Sequence, residues 1–284
     1  MRRRLLTSSL CSIWTAAVLL TVFPSAAQKK TLSIKGSDTM VNLGQAWAES
    51  FMEAHPGSQI SVTGGGSGTG IAALLNGTCD IATCSRELSS SEKQRAAQKG
   101  RTATQTSCAL DGVAIAVNAQ NPLKALSVPQ IAFVFDGSMS DWSALKGKLG
   151  KILVLSRESS SGTYVFFREH VLQNKNYRSD ALLMPSTKAI ATEISKNPAA
   201  IGYGGEAYFK SQAGVKVLPV AAKPGVAPIQ PTDANIRSGK YPISRPLYLI
   251  TPGKPAGMAA EFIRFALSPA GQKTVKEVGY TAIR

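Results

Sequence analysis

The sequence predicts an α/β protein in which strands alternate with helices and form largely parallel sheets. Several segments repeat apolar residues at three- and four-residue spacing, which is typical of amphipathic helices. Short apolar or β-branched runs lie between those segments, and such alternation indicates βαβ units. Glycine- and hydroxyl-rich stretches stand where strands give way to helices, so the junctions are the first place to look for function.

The elements follow one another from residue 32 onwards. Strands are predicted at residues 32–35, 59–63, 80–83, 113–117, 152–155 and 215–220. Helices are predicted from residue 40 to about 55, around 71–75, at 89–99, around 164–171 and, as the last helix, at 256–267. The stretch 219–246 is rich in Pro and Gly and is predicted to be a long surface crossover.

The chain start predicts export. Three arginines at positions 2–4 precede an uncharged apolar stretch at 5–23, and Ser25, Ala26 and Ala27 follow Pro24. This order is typical of a secretory signal peptide with cleavage after Ala27. The stretch is nearly long enough for an uncleaved membrane anchor, but the small-residue site favours cleavage. We therefore expect a soluble, periplasmic mature protein.

Length and net charge limit the number of domains and the kind of binding partner. Removing residues 1–27 from 284 leaves 257 residues with a net charge of +12, because the segment holds three arginines and no acid. That length suits one large domain or two lobes of roughly 100–150 residues. The basic balance favours an anionic partner, but scattered Lys and Arg without a basic run argue against nucleic acid.

The remaining cysteines are Cys79, Cys84 and Cys108, of which two could pair in an oxidising compartment. The histidines, His55 and His170, have no metal-ligand spacing with them, so neither a metal nor a cofactor is expected.

Three strand-to-helix junctions share an unusual composition. The first contains Ser37, Asp38 and Thr39, the second contains Ser67 and Gly68 within the glycine-rich loop 64–70, and the third contains Arg157, Ser161, Gly162 and Thr163. The first turn of a helix has unsatisfied N–H groups and a positive dipole end, which suit an oxyanion. Each junction alone is explained by the preference for Ser, Thr and Asp at helix starts. Three in one chain, one led by an arginine, predict a shared anion site.

Two other interpretations of these residues are weaker. The glycine-rich loop lacks the lysine of a P-loop and an acidic ribose contact at the expected distance, which argues against a nucleotide. Ser67 or Ser161 as a nucleophile would need a base, and His170 has no evident acid partner. No catalytic residues are expected, and the chain is not predicted to be an enzyme.

The order of the motifs resembles one known family. Seven segments carry the resemblance, at residues 36–40, 64–70, 80–86, 110–114, 157–163, 200–203 and 241–248. Together they resemble the phosphate-binding component of the bacterial ABC phosphate importer, from about residue 31 to the C-terminus. The resemblance implies a two-lobed periplasmic-binding-protein fold with two chain crossovers and a ligand cleft between the lobes. Lobe I would comprise 28–114 plus 246–284 and lobe II 115–245.

The resemblance also implies a function and its contacts. The lobes would close on inorganic phosphate by a hinge motion, and an ABC permease in the inner membrane would recognise the closed monomer. The expected phosphate-binding residues are Ser37, Asp38, Thr39, Ser67, Gly68, Ser85, Asp111, Arg157, Ser161, Gly162 and Thr163.

One departure bears on specificity. Some family members have an Asp where this chain has Ser85, and a carboxylate can accept the proton of phosphate while it repels sulfate. Here Asp38 or Asp111 would have to be the acceptor, with a turn role equally open for Asp111. If both point away, sulfate or another oxyanion becomes the alternative ligand. A second alternative is a surface or sensing factor that binds polyanions through its net charge.

Overall fold

The computed structural model describes residues 30–145, 147 and 149–283. The predicted signal peptide at residues 1–27 lies outside the described residues, and its cleavage stays a prediction. Within those ranges, no helix combines the length and the apolar character that a membrane span requires.

Strands and helices alternate along the described part of the chain, which confirms the α/β class. The strands are β1 (Lys30–Gly36), β2 (Ser58–Thr63), β3 (Ile81–Cys84), β4 (Thr104–Asn118), β5 (Leu126–Ser127), β6 (Leu153–Arg157), β7 (Leu182–Met184), β8 (Ala200–Gly205), β9 (Val215–Leu218), β10 (Val220–Ala221) and β11 (Ser244–Thr251). The helices are α1 (Val41–Ala54), α2 (Ser67–Asn76), α3 (Ser90–Gln98), α4 (Val128–Phe135), α5 (Gly162–His170), α6 (Thr187–Lys196), α7 (Glu206–Lys210), α8 (Asp233–Arg237), α9 (Gly257–Ala266) and α10 (Pro269–Glu277).

Hydroxyl caps fix where many helices begin. Ser89 and Glu92 form a reciprocal capping box at the start of α3, and Ser127 and Gln130 form another at α4. Ser161 caps α5 by accepting hydrogen bonds from two backbone N–H groups of its first turn. The hydroxyls that the sequence places before helices therefore have a structural role as well.

The sheet is mixed, so the prediction of largely parallel sheets is wrong at its centre. The strand order is β2-β1-β3-β11-β4-β8-β6-β7, with β9 also paired to β4. Pairing is parallel within β2-β1-β3 and within β8-β6-β7, but β11 is antiparallel to β3 and β4, and β4 is antiparallel to β8 and β9. Strand β11 pairs with β3 and β4 although a long stretch of chain separates it from them. The local alternation of strands and helices does not predict such a pairing.

The fold has two lobes joined by long strands. Strand β4 has 15 residues. Its first part pairs with β11 and its last part with β8 and β9. One side packs a core around Trp47, Phe51 and Phe262, and the other packs a core around Trp142 and Tyr203. We call the side with β1–β3 lobe I and the side with β6–β9 lobe II.

Two sequence predictions in the C-terminal part need correction. The segment 219–246 is not only a surface crossover, because it contains β10 and α8 and buries Ile236, Tyr241 and Ile243 in the core of lobe II. The predicted last helix is α9, but α10 follows it and packs Val275 into lobe I. Helix α10 was not predicted because its apolar residues are sparse. Its start is set by the Ser268 cap and by Pro269 in its first turn.

The three described cysteines are free and buried, and no disulfide joins any two of them in the structure. Cys79 and Cys84 lie in one apolar cluster and Cys108 in another. Burial raises the pKa of Cys79 to about 11 and the pKa of Cys108 well above its usual range. These thiols behave as small apolar core residues.

Candidate anion-binding site

The first junction turns sharply at the end of β1. Gly36 has φ +143°, and a Cβ there would lie 2.2 Å from the carbonyl oxygen of Thr83, so only glycine fits. The Ser37 N–H donates to that same oxygen at 2.9 Å, which anchors the turn to β3. Thr39 follows in a short 3-10 turn and is 1% exposed. The junction therefore presents the Thr39 side chain inside the protein at the start of α1.

The second junction brings two serine hydroxyls together. Gly65 and Gly66 have positive φ values, and the glycine-rich loop leads directly into α2 at Ser67. The Ser67 hydroxyl accepts the backbone N–H of Ser85 at 3.1 Å and lies 3.4 Å from the Ser85 hydroxyl. Both serines are fully buried. Ser85, the predicted site residue after β3, thus contacts Ser67, the predicted site residue in the glycine-rich loop.

The third junction, from lobe II, closes over the other two. The Gly68 N–H donates to the Ser160 carbonyl at 3.0 Å, so the backbones of the two loops touch. Gly162 lies so close to the serine pair that a Cβ there would be 2.2 Å from the Ser67 Oγ and 2.8 Å from the Ser85 Oγ. Ser161 uses its hydroxyl to accept the Thr163 N–H at 3.2 Å. The start of α5 therefore faces the hydroxyls of lobe I.

A direct contact between threonines completes the arrangement. The Thr39 and Thr163 hydroxyl oxygens lie 2.9 Å apart, one from each lobe. We call the buried hydroxyls of Thr39, Ser67, Ser85 and Thr163 the hydroxyl cradle. Hydroxyls donate and accept, and the first turns of α2 and α5 add backbone N–H groups and positive dipole ends. Chemically, the cradle suits a small desolvated oxyanion.

Arg157 and Asp38 also lie near the junctions, but they contact mainly each other and the segment 184–187. Arg157 Nε donates to the Met184 carbonyl at 3.2 Å, Nη2 to the Pro185 carbonyl at 2.9 Å and Nη1 to the Thr187 hydroxyl at 3.1 Å. Its Nη1 also lies 3.2 Å from Asp38 Oδ2, which accepts the Thr187 N–H at 3.0 Å. Burial lowers the pKa of Arg157, and Asp38 opposes that shift. This ion pair links lobe I to lobe II.

The sequence interpretation missed Arg245 as a site residue. Arg245 is the sheet partner of Asp111, and Asp111 Oδ2 accepts from its Nε at 3.1 Å and its Nη2 at 2.8 Å. Nη2 also donates to the Thr163 hydroxyl at 3.0 Å and lies 3.5 Å from that of Thr39. Burial raises the pKa of Asp111 and Arg245 opposes that shift. The antiparallel register that joins the two was not visible in the sequence, although Arg245 stands in one of the motifs quoted above.

The serines have no catalytic partner among the described contacts. Neither Ser67 nor Ser161 hydrogen-bonds a histidine in the described part of the chain. His170 instead places its Nδ1 3.0 Å from the Phe166 carbonyl and stacks on the Phe166 ring.

Comparisons with known proteins agree with this geometry. A family model described as a PBP superfamily domain matches residues 21–270. The chain is 34% identical over 266 residues to the phosphate-binding protein PstS of Pseudomonas aeruginosa, which covers 88% of this chain and 82% of the relative. It is 30% identical over 254 residues to a PstS of Staphylococcus aureus, which covers 87% of this chain and 76% of the relative.

Solved structures give the same result. A phosphate ABC transporter substrate-binding protein from Clostridium perfringens, solved with bound phosphate, superposes with a TM-score of 0.81 at 27% identity and covers 90% of this chain and 100% of its own. An ABC-type phosphate transport receptor from Vibrio cholerae superposes with a TM-score of 0.71 at 30% identity and covers 88% of this chain and 99% of its own. The two-lobed fold, the buried hydroxyl cradle between the lobes and these matches lead to one conclusion: the chain belongs to the PBP superfamily and, within it, to the PstS phosphate-binding proteins.

Proposed function

We propose that the protein captures inorganic phosphate in the hydroxyl cradle and delivers it to an ABC permease. The single observation that carries this proposal is the convergence of buried hydroxyls from both lobes at the first turns of two helices. Neutral donors hold a fully desolvated oxyanion without the cost of burying additional charge. Among the described residues, neither Ser67 nor Ser161 hydrogen-bonds a histidine, which supports binding without chemistry on the ligand.

Binding and closure are coupled in this proposal because the donors come from both lobes. Thr39, Ser67 and Ser85 belong to lobe I and Thr163 to lobe II, so an anion between them favours the closed form. The backbone contact between Gly68 and Ser160 closes the same seam. We propose lobe boundaries at 28–114 plus 246–284 and at 115–245, so that β4 and β11 act as the hinge.

We further propose that the protein is exported and works as a periplasmic monomer. The basic and apolar chain start supports export, and we propose that cleavage follows Ala27. The name "phosphate-binding protein PstS" of a relative supports phosphate as the ligand. The ABC-type phosphate transport receptor of Vibrio cholerae supports an ABC transporter as the partner. The closed pair of lobes would be the form that the permease recognises.

Sulfate remains the second candidate ligand because of one observation. Asp38 Oδ2 accepts from Arg157 and Thr187, and Asp111 Oδ2 accepts from Arg245. Among the residues that the structure describes, no carboxylate hydrogen-bonds a cradle hydroxyl. Selection of phosphate would then require either the other carboxylate oxygen of Asp38 or Asp111, or a hydroxyl oxygen, to accept its proton, and a hydroxyl discriminates less strongly than a carboxylate.

Calorimetric titration of the chain from Gln28 onwards, stripped of anions, tests the proposal. Phosphate and then sulfate are added near neutral pH at low and at physiological salt. Saturable phosphate binding that changes little with salt supports the cradle, since buried contacts are screened weakly. Sulfate binding of equal strength reassigns the ligand, and binding of neither refutes transport. Binding of polyphosphate alone, with a steep loss in salt, would support the surface polyanion alternative.

T163V is the matched probe of the cradle. It removes one buried hydroxyl and keeps the side-chain volume, and loss of a hydrogen bond to a charged ligand costs about 1.5–3 kcal/mol. We expect phosphate affinity to fall about 10- to 150-fold. T31V on the exposed side of β1 is the control and should bind like the unaltered protein.

A further inference from the structure

We propose that Arg245, positioned by Asp111, is the arginine that contacts the bound phosphate through its Nη1 group, while Arg157 mainly ties the two lobes together. This proposal rests on the function proposed above. It assigns the charged contact to a residue outside the segment 157–163, to which the sequence motif points.

Arg157 has little hydrogen-bonding capacity left. A guanidinium carries five N–H donors. In Arg157 these groups face two backbone carbonyls, the Thr187 hydroxyl and Asp38, and each of its three nitrogens has a partner. At most one N–H, on Nη2, remains for an anion. The side chain is therefore built into the contact between the lobes.

Arg245 has the opposite pattern. Its Nε and Nη2 are satisfied by Asp111 and Thr163, but its Nη1 is buried and has no hydrogen-bond partner among the described residues. The side chain is 1% exposed. A buried donor left unsatisfied costs about 1–3 kcal/mol, and more when it is charged. Such a group in a native structure calls for an explanation, and a ligand that accepts its two hydrogens provides one.

The position of the guanidinium supports this role. Nη2 lies at the junction of the two lobes, 3.0 Å from the Thr163 hydroxyl and 3.5 Å from the Thr39 hydroxyl. A hydroxyl that accepts from Arg245 has its own hydrogen available for donation. One of the two threonine hydrogens lies between the hydroxyls, so the arginine leaves the other to donate to an anion, and an anion bound there comes within reach of Nη1.

Two contacts hold the guanidinium in place. Asp111 is its register partner on β4 and accepts from two of its nitrogens, and the Phe166 ring lies 5.3 Å below its central carbon. Asp111 is thus a positioning residue, which differs from the expectation that it accepts the phosphate proton. The ion pair also keeps the net charge of the cradle near neutral, so that donor geometry rather than excess charge would hold the anion.

Paired neutral substitutions separate this role from stability. R245Q/D111N removes both charges of the Arg245–Asp111 pair between β11 and β4. R157Q/D38N removes both charges of the Arg157–Asp38 pair that links the lobes. R178Q/D180N is the matched control, because it removes an Arg–Asp pair that does not contact the cradle. Each variant is titrated with phosphate by calorimetry, and its thermal unfolding is measured without ligand.

We expect R245Q/D111N to lose at least about 100-fold in phosphate affinity, because a charge-assisted fork to the anion is lost. R157Q/D38N should lose less, and R178Q/D180N should bind like the unaltered protein. The assignment is overturned if R245Q/D111N folds and binds phosphate within threefold of the unaltered protein, or if R157Q/D38N loses more. Absence of phosphate binding by the unaltered protein would instead refute the proposed function itself, and this assignment with it.

A crystal structure of the unaltered protein with phosphate keeps the test decisive if R245Q/D111N does not fold. Arg245 Nη1 within about 3.2 Å of a phosphate oxygen supports the assignment. Phosphate held by Arg157 and not by Arg245 overturns it.

Discussion

Replacement of Gly162 by alanine tests whether closure of the two lobes creates the anion site. Gly162 is the first residue of α5, and its φ lies outside the left-handed region, so alanine fits the backbone. Alanine is also a better helix former than glycine by up to about 1 kcal/mol, so lobe II itself should not be destabilised. The substitution therefore perturbs only what Gly162 touches.

The magnitude follows from the contacts that the new methyl group would make. It would lie 2.2 Å from the Ser67 Oγ, 2.8 Å from the Ser67 Cβ and 2.8 Å from the Ser85 Oγ. Rotation of the Ser67 hydroxyl relieves the first contact but not the second. Ordinary contacts between carbon atoms lie at about 3.5 Å or more, so the loops must separate by about 1 Å. Hydrogen bonds from lobe II to the anion then lengthen beyond a useful distance.

We expect G162A to bind phosphate about 100-fold more weakly, because one or two hydrogen bonds to a charged ligand are lost at about 1.5–3 kcal/mol each. Its thermal midpoint without ligand should match that of the unaltered protein. Small-angle scattering should show less compaction with phosphate. G253A is the control, since a Cβ at Gly253 meets nothing within 4 Å. Equal phosphate affinity for G162A and G253A would refute the view that the Gly162 contact closes the site.

Three further predictions concern other parts of the molecule. Burial would raise the pKa of Glu92, but hydrogen bonds from Arg86 and Ser89 outweigh it and hold that pKa below its usual value. The Arg86–Glu92 ion pair therefore stabilises the fold at pH values above the ordinary Glu pKa. This stabilisation is lost as the pH falls through the lowered pKa of the folded protein. E92Q should reduce the free energy of unfolding by about 2 kcal/mol at pH 7, and this difference should shrink below about pH 4. The control variant E49Q, at an exposed site, should change the stability little. Equal stability of E92Q and E49Q at pH 7 would contradict this prediction. Because Cys79 and Cys108 are buried with raised pKa values, a thiol reagent should modify the reduced mature protein only on unfolding, and rapid native labelling would refute their burial. Because Arg157 and Arg245 are each paired with a carboxylate, phosphate affinity should fall less than about threefold from 50 to 500 mM salt by calorimetry. A steep linear loss would point to surface charge instead.

Local sequence patterns predicted the loops of the site better than the arrangement of the sheet. Glycines and hydroxyls at strand ends marked the junctions that the structure brings together at Thr39, Ser67 and Thr163, because helix starts and tight turns are encoded by adjacent residues. The partner of Asp111 was not predictable in the same way. Arg245 reaches it only through an antiparallel pairing between distant strands, and no pattern within either strand specifies that register. The same reason explains the mixed sheet.

The packing of Asp38 shows the same limit at the level of one side chain. Its position before α1 predicted a cap or an anion contact, yet its carboxylate accepts from Thr187 and Arg157 of the other lobe. That choice depends on how the lobes close, which depends on the whole fold. The individual roles of the predicted phosphate-binding residues stay predictions until a ligand is titrated against their variants.

The route of the chain through the two lobes sets an order on folding. Strand β3 and the first part of β4 are separated in the sheet by β11, which begins 140 residues after the start of β4 along the chain. The lobe I core needs Phe262 and Val275 as well. During synthesis, lobe I therefore cannot complete its sheet or its core until residues 244–283 have emerged, whereas the lobe II strands β6–β9 are already present. Pairing at such sequence separation is slow, because the closure entropy of the long loop must be overcome first. A nascent chain of this topology stays without a finished first lobe for most of its synthesis, which leaves it open to chaperones and to passage across a membrane before it folds.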